Sequence, residues 1–571
     1  MPAISSKRAK PHHFVPDDLD TTDAEAITRL YDKLDERNIS TLDALTKFIH
    51  DWDELTGVLY ETRTAAYVDM TSDTTNPQFE ATYQKVIEEI VPVGEKRSFR
   101  LKQKLLESPA LSELGDEYGV FLRHIRAEVG IFREENVPLM TEERKQDQEF
   151  QKISGAQKAQ FRGETYTLPQ LGPFLEETDR TTREEAWRAR LDARLADAEA
   201  LDTLFDQMYE TRQQIARNAG FDSYRDYKFV EYKRFDYTPE DCLRFHAAIE
   251  KHVVPVVTRD NERRGRLLGL DTLRPWDMLV DPENHEPPRP FKNAQELKDG
   301  CERIFERIDP ELAGYFRTMV AENLLDLENR PGKAPGGYMD ALTDTGVPFI
   351  FMNAVGTHRD VETLLHEGGH AFHYYLARRQ PLINYQALGI GAEIAEVGSM
   401  SMEYLSLPYL GEFYSDDEVQ RLYDHKLRDS LQWFPFMAMI DAFQHWFYTA
   451  EKHGPQERRA KWAELEARFR PELDWSGLEQ YRDIGWQYLH VFSFPFYFIE
   501  YAIAQLAAMR IWLNSLEDER GAIEAYKRGL SLGGSRPLPE LFEAAGAQLG
   551  LDERTVGAIV EGTLAQMAAK D

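Results

Sequence analysis

Apolar residues recur at three- and four-residue spacing from Thr22 to about Ala200, with charges between them, and that period predicts a run of amphipathic helices. Thr22 followed by Glu25, and Thr182 followed by Glu185, have capping-box spacing, so helices are expected to open at those threonines. Thr238 before Pro239, with Asp241 in the first turn, starts another that should run towards His252. The period breaks at Phe161 to Leu171, where Gly163 and the alternating Tyr166 and Leu168 predict a short extended segment joining two helical layers. Trp276 to Pro290 is rich in proline and mixed charge and predicts a surface loop, with helices resuming at Asn293.

A second break runs from Gly332 to Asn353, GKAPGGYMDALTDTGVPFIFMN. A glycine-rich entry, a Thr-Asp-Thr-Gly turn and the apolar run Val347 to Met352 predict a small β-hairpin. Its edge strand could pair with an extended peptide, although a hairpin that only packs fits the pattern equally well. Beyond a loop-like stretch from Pro381 to Gly391, a helix is expected near Ala392. It carries Glu393, Glu396 and Glu403 on one face among Ile394, Val397, Met400, Met402 and Leu405. Carboxylates buried in such company need a cation or a donor. The longest apolar stretch, Val491 to Trp512, is interrupted by Glu500 and Gln505 and predicts a buried core helix, not a membrane span.

Composition narrows the class. The 571 residues can bury a large core, and no linker or repeat divides them. The expected fold is mainly α, with a small β-sheet, and it reads as an N-terminal helical region (1–200) and a catalytic region (201–571) packed as one continuous unit. Lys plus Arg number 68 against 99 Asp plus Glu, a net charge of −31 that repels phosphate backbones and excludes nucleic acid as a partner. Cys242 and Cys301 lie outside any CxxC pattern, so neither a disulfide framework nor a structural zinc site is expected. The N-terminal MPAISSKRAKPHHF has no apolar run behind its basic residues, which points to a cytoplasmic chain and leaves His12 and His13 as tail.

The chemistry gathers at Leu364 to Tyr375, LLHEGGHAFHYY. His366 and His370 are one helical turn apart on one face, a two-imidazole clamp suited to zinc. Glu367 points about 100° round the helix, placed to take a proton from a water held beside the cation. Gly368 and Gly369 each cost about 1 kcal/mol inside a helix, which suggests close approach by another part of the chain. A catalytic zinc wants a third protein ligand, and Glu396, thirty residues after His366, is the best source. Glu403 is expected behind one of the ligand histidines, with Asp360 or Glu362 as other candidates; His373 reads as second-layer or core. Asp441 and His445 share a helical face and read as a satisfied core pair. Glu367 and His370 also spell the Glu-x-x-His of di-iron bundles, but no second such motif is suitably placed.

These pieces together resemble the thimet oligopeptidase and oligoendopeptidase F group of zinc metallopeptidases. The resemblance rests on DVETLLHEGGHAFH (360–373), EVGSMSME (396–403), GKAPGGY (332–338), DAFQHWFYT (441–449) and HVFSFPFYFIEYA (490–502), and is clear from Tyr224 to Leu506. The late FYFIEY pattern is similar to the oligoendopeptidase F branch. The resemblance implies two helical lobes around a deep channel and one zinc ion per chain held by His366, His370 and Glu396, with Ser399 and Glu403 following the ligand glutamate. It implies hydrolysis of oligopeptides by zinc-activated water with Glu367 as general base. It further implies oxyanion donors at His490, Tyr497 and Tyr501, and substrate contacts at Gly336, Gly337 and Tyr338.

Overall fold

Helices dominate the computed structural model, which describes residues 11–382 and 389–568. Two compact units interleave along the sequence: one takes Met1–Gly130, Pro287–Tyr423 and Ala504–Leu549, the other Ile131–Glu286, Asp424–Ile503 and Gly550–Asp571.

In the first unit, helices Ala24–Asp35, Leu42–Ser72 and Val91–Leu106 bury Ile27, Leu34, Phe48, Trp52, Leu55 and Leu105 in one apolar core. The expected hairpin is present. Strands β4 (Tyr338–Leu342) and β5 (Val347–Ala354) pair antiparallel, and Gly346 takes the left-handed conformation (φ 77°) that closes the turn. A strand the sequence did not suggest, β3 (Leu325–Glu328), adds parallel to β5 and gives the order β3-β5-β4, leaving β4 at the edge. The helix His358–Ala377 follows β5 and packs against it and against the helix Ala392–Leu405, which begins where expected. Part of the loop between those helices, residues 383–388, lies outside the described residues.

In the second unit the extended segment resolves into a hairpin of β1 (Lys158–Phe161) and β2 (Glu164–Thr167). Arg162 and Gly163 both have positive φ, the requirement of a two-residue hairpin turn of the primed type. Phe161, Leu171, Trp187, Trp276 and Tyr481 form the core beneath it. The expected loop after Trp276 begins inside that core: Trp276 and Asp277 are buried in a short 3₁₀ turn, because Arg180 and Arg183 both bond the Asp277 carboxylate.

Three local readings are corrected. The first helix is capped by Asp23, whose carboxylate accepts from the Glu25 and Ala26 N–H groups, while Thr22 bonds Asp20. Asp179 caps the helix Arg180–Ala196 and accepts from both the N–H and the hydroxyl of Thr182. In each case a neighbouring aspartate outcompetes the threonine, since a carboxylate is the stronger acceptor for orphan N–H groups. His12 is no loose tail: its Nε2 lies 2.6 Å from Asp344 Oδ1 and its side chain is nearly buried. The capping box at Thr238 and Asp241, and the start after Asn293, are as expected.

Candidate metal centre

The helix His358–Ala377 opens on a capping box in which the Asp360 carboxylate accepts from the N–H groups of Val355 and Thr357 and from the Thr357 hydroxyl. Asp360 is therefore spent on the helix start. Two turns on, the rings of His366 and His370 meet edge to face with centroids 5.0 Å apart. Opposite them Glu396 brings its Oε2 to 3.5 Å from His366 Nε2 and 3.8 Å from His370 Nε2. Four-coordinate zinc with bonds of about 2.0–2.1 Å sets its ligand atoms about 3.3–3.4 Å apart, so this triad fits a small cation after a contraction of a few tenths of an ångström.

The approach of the two helices depends on glycine. A Cβ on Gly369 would stand 2.5 Å from the Gly398 carbonyl oxygen and 2.6 Å from Ser399 Cα, and one on Gly368 would stand 2.9 Å from the Phe305 ring. Both close approaches are those the sequence suggested. Ser399 donates to Glu396 Oε2 at 2.8 Å, and Glu403 Oε1 lies 2.6 Å from His366 Nδ1. The second contact places a ring proton on Nδ1 and leaves Nε2, which faces Glu396, as the nitrogen a cation would take. Glu403, not Asp360, thus stands behind a ligand histidine; Glu362 lies 3.8 Å from His358. His373 is buried against Gly398 with neither ring nitrogen partnered among the described residues, and burial lowers it to about 4.

Electrostatics follow from burial. Desolvation raises Glu367 to about 7, assisted by Glu396 and opposed by His366 and by a hydrogen bond from the Met339 N–H. Met339 lies on β4 opposite Ile350, whose own N–H donates to Leu324, so this pair exchanges no bonds and the Met339 N–H points to the outer edge of the sheet. Burial disfavours the charged form of His366, but the bond to Glu403 and the carboxylates around it raise it to about 9. His370 is held well below the ordinary histidine range, chiefly by burial and then by the charge of His366. Glu396 is raised by burial against the pull of His366 and Ser399.

The glycine-rich loop before β4 is pinned from several sides. Asn353 Nδ2 donates to the Ala334 and Gly336 carbonyls at 2.9 Å, and Gly336 takes a φ of 101°. A Cβ on Gly337 would meet Thr363 of the histidine helix at 3.5 Å. Tyr338 stacks on Phe351 and shares a 2.7 Å hydrogen bond with Thr71. Sequence reasoning missed Lys333, whose fully buried ammonium donates to Asp326 Oδ1 and to the carbonyls of Asp326, Glu328 and Met352. A lysine among glycines gave no signal of that role.

In the second unit His490, Tyr497 and Tyr501 cluster: the tyrosine rings are 5.1 Å apart and each lies 6.4 Å from the imidazole. Before them Phe496 has a φ of 65°, unusual for a bulky residue. It is held by Gln444 on its N–H and by Arg234 on its carbonyl, and Arg234 also pairs with buried Glu500. Burial lowers His490 to about 4, so it is neutral at pH 7.

Two histidines one turn apart, a carboxylate from a second helix and an acidic residue beside them on a mainly helical scaffold define a metallopeptidase-like centre. The sequence profile described as Peptidase family M3 matches residues 174–559, and that of the Peptidase M3 N-terminal domain matches residues 14–132. The chain belongs to peptidase family M3. It is 26% identical over 422 residues to an oligoendopeptidase F homolog of Borreliella burgdorferi, covering 69% of this chain and 65% of that one. Oligopeptidase PepF of Bacillus subtilis is 25% identical, with 53% and 44% covered, so the matched stretch spans less than two thirds of either relative. A solved structure of PZ peptidase A with an inhibitor superposes with a TM-score of 0.85 at 27% identity, covering 98% of this chain and 99% of that one. No helix among the described residues is long and apolar enough to cross a membrane.

Proposed function

We propose that this protein is a zinc-dependent endopeptidase of oligopeptides, with one catalytic zinc held by His366, His370 and Glu396. The observation that carries the reading is the convergence of a ring nitrogen of His366, one of His370 and a Glu396 oxygen within 4.8 Å of one another beside the buried carboxylate of Glu367. Zinc, when bound, supplies a Lewis acid for the scissile carbonyl and acidifies water.

The chain's own groups do the rest. Glu367 takes a proton from the attacking water on its carboxylate and passes it to the nitrogen of the leaving amine. Glu403 holds His366 by Nδ1, and Ser399 steadies Glu396. The outer edge of β4, reached through Gly336, Gly337 and Tyr338, takes the substrate backbone in extended form. His490, Tyr497 and Tyr501 donate hydrogen bonds to the oxyanion; a neutral imidazole and two phenols are suitable donors. Family membership supports this role.

The test is cleavage of a mixed peptide library by the purified protein, with and without a chelator, read by mass spectrometry. Internal cuts that vanish with the chelator and return with zinc are expected. Intact peptides after zinc loading would refute the proposal.

A further inference from the structure

A second cluster of ligand-type side chains lies in the other unit. Cys242 and His246 are one turn apart on the helix Pro239–His252, and Asp441 and His445 one turn apart on the helix Asp416–Thr449. All four are at most 4% exposed. His246 Nε2 lies 2.8 Å from Asp441 Oδ2, while Asp441 Oδ1 has no hydrogen-bond partner among the described residues. His445 Nε2 is 3.3 Å from the same Oδ2, and neither of its ring nitrogens has a hydrogen-bond partner among the described residues. Cys242 Sγ, an Asp441 oxygen and a His445 ring nitrogen all fall within 4.8 Å of one another.

An imidazole buried without a hydrogen bond on either nitrogen is costly, and so is the carboxylate oxygen left unbonded beside it. A divalent cation resolves both at once. One thiolate, one carboxylate and one neutral imidazole cancel its two positive charges, which matters where no solvent can. Mixed sulfur, nitrogen and oxygen donors suit zinc. A cavity of about 260 Å³, lined in part by His246 and His445, adjoins the cluster. Arg225, Lys461 and Arg468 also line it, so a cation exchanges slowly once the unit has folded.

We propose that Cys242, Asp441 and His445 form a second, structural metal site suited to zinc, with His246 orienting the Asp441 carboxylate. The sequence hid it because the two i,i+4 pairs are some 195 residues apart.

The test uses the full chain with His366→Ala and His370→Ala together, which disables the first site. Cobalt(II) is supplied during refolding, and bound metal is counted by mass spectrometry alongside the near-ultraviolet thiolate-to-cobalt band. One equivalent per chain carrying that band is expected, with both lost on adding Cys242→Ser and the band retained with Cys301→Ala. Far-ultraviolet circular dichroism checks folding. If Cys242→Ser fails to fold, His445→Gln serves as the second variant and should lose the equivalent. A folded first-site variant that binds no cobalt, or binds it without the thiolate band, overturns the proposal.

Discussion

Replacing Gly369 by alanine tests whether backbone contact between two helices builds the metal centre. Intrinsic helix propensity alone favours alanine by about 1 kcal/mol, so with open space the change would stabilise the protein. The space is not open: the added Cβ would lie 2.5 Å from the Gly398 carbonyl, against an ordinary contact of 3.4 Å, so the helices must part by 3.4 − 2.5, about 0.9 Å. Overpacking of that kind costs about 1–3 kcal/mol, equal to or above the propensity gain. The movement falls on the helix that carries Glu396 and would stretch its 3.8 Å separation from His370 towards 4.7 Å. Sites of this type tolerate about 0.5 Å. Gly369→Ala should therefore weaken zinc binding roughly tenfold or more without altering a ligand, and should lower the unfolding midpoint or leave it unchanged. Competition against a chromogenic chelator measures the first, and calorimetry of the metal-free protein the second. A variant with unchanged zinc affinity and a raised midpoint would refute the argument.

Glu367→Gln should keep the metal and lose at least about a hundredfold in peptide turnover, measured on a metal-quantified sample. Glu396→Ala should abolish zinc binding while Glu393→Ala mostly keeps it; equal losses by metal analysis would remove Glu396 from the triad. His490→Ala or Tyr501→Phe should lower kcat about a hundred- to a thousandfold with metal content unchanged, whereas lower thermal stability with normal turnover per folded molecule would make them packing residues. Asp277→Asn should destabilise the protein by about 3–5 kcal/mol at pH 7, because Arg183 is buried with it. Burial pushes the Asp277 carboxyl up, but Arg180, the Arg274 N–H and Arg183 together hold it below its ordinary value. Its contribution is thus present above the unfolded pKa and lost as pH falls through the lower, folded one. Acid unfolding of the wild type and variant should converge there; parallel curves would count against it.

What the sequence disclosed were features repeated within one turn or one pleat. The pair His366 and His370, the carboxylate face of Glu393 to Glu403 and the hairpin ending at Asn353 are all periodic patterns, and each stands where its period placed it. The costly Gly369 was legible for the same reason. Contacts across the chain were not. β3 is too short to show alternation and joins β5 only through tertiary pairing. Lys333 reads as a surface residue until four acceptors close on it. Asp441 and His445 read as a satisfied pair because the helix bearing Cys242 and His246 lies far off in sequence, and only folding shows how many of their polar atoms lack partners.

The charges at the first centre explain why so many carboxylates are gathered there. Glu367, Glu396 and Glu403 crowd two histidines in a space largely withdrawn from water, and like charges so placed cannot all persist. The protein's own compromise is visible: His366 is pushed up to about 9 and Glu367 to about 7, so protons substitute for missing positive charge. That compromise suits folding but not catalysis, since a general base that holds its proton cannot accept another. In the proposed centre, His366, His370 and Glu396 would hold a dication, whose charge would displace the His366 proton and lower Glu367. Binding a metal and freeing the Glu367 carboxylate of its proton would then be one electrostatic event. A surplus of carboxylate over ligand need is the feature that would couple them, with Glu403 both holding His366 and adding to the negative field.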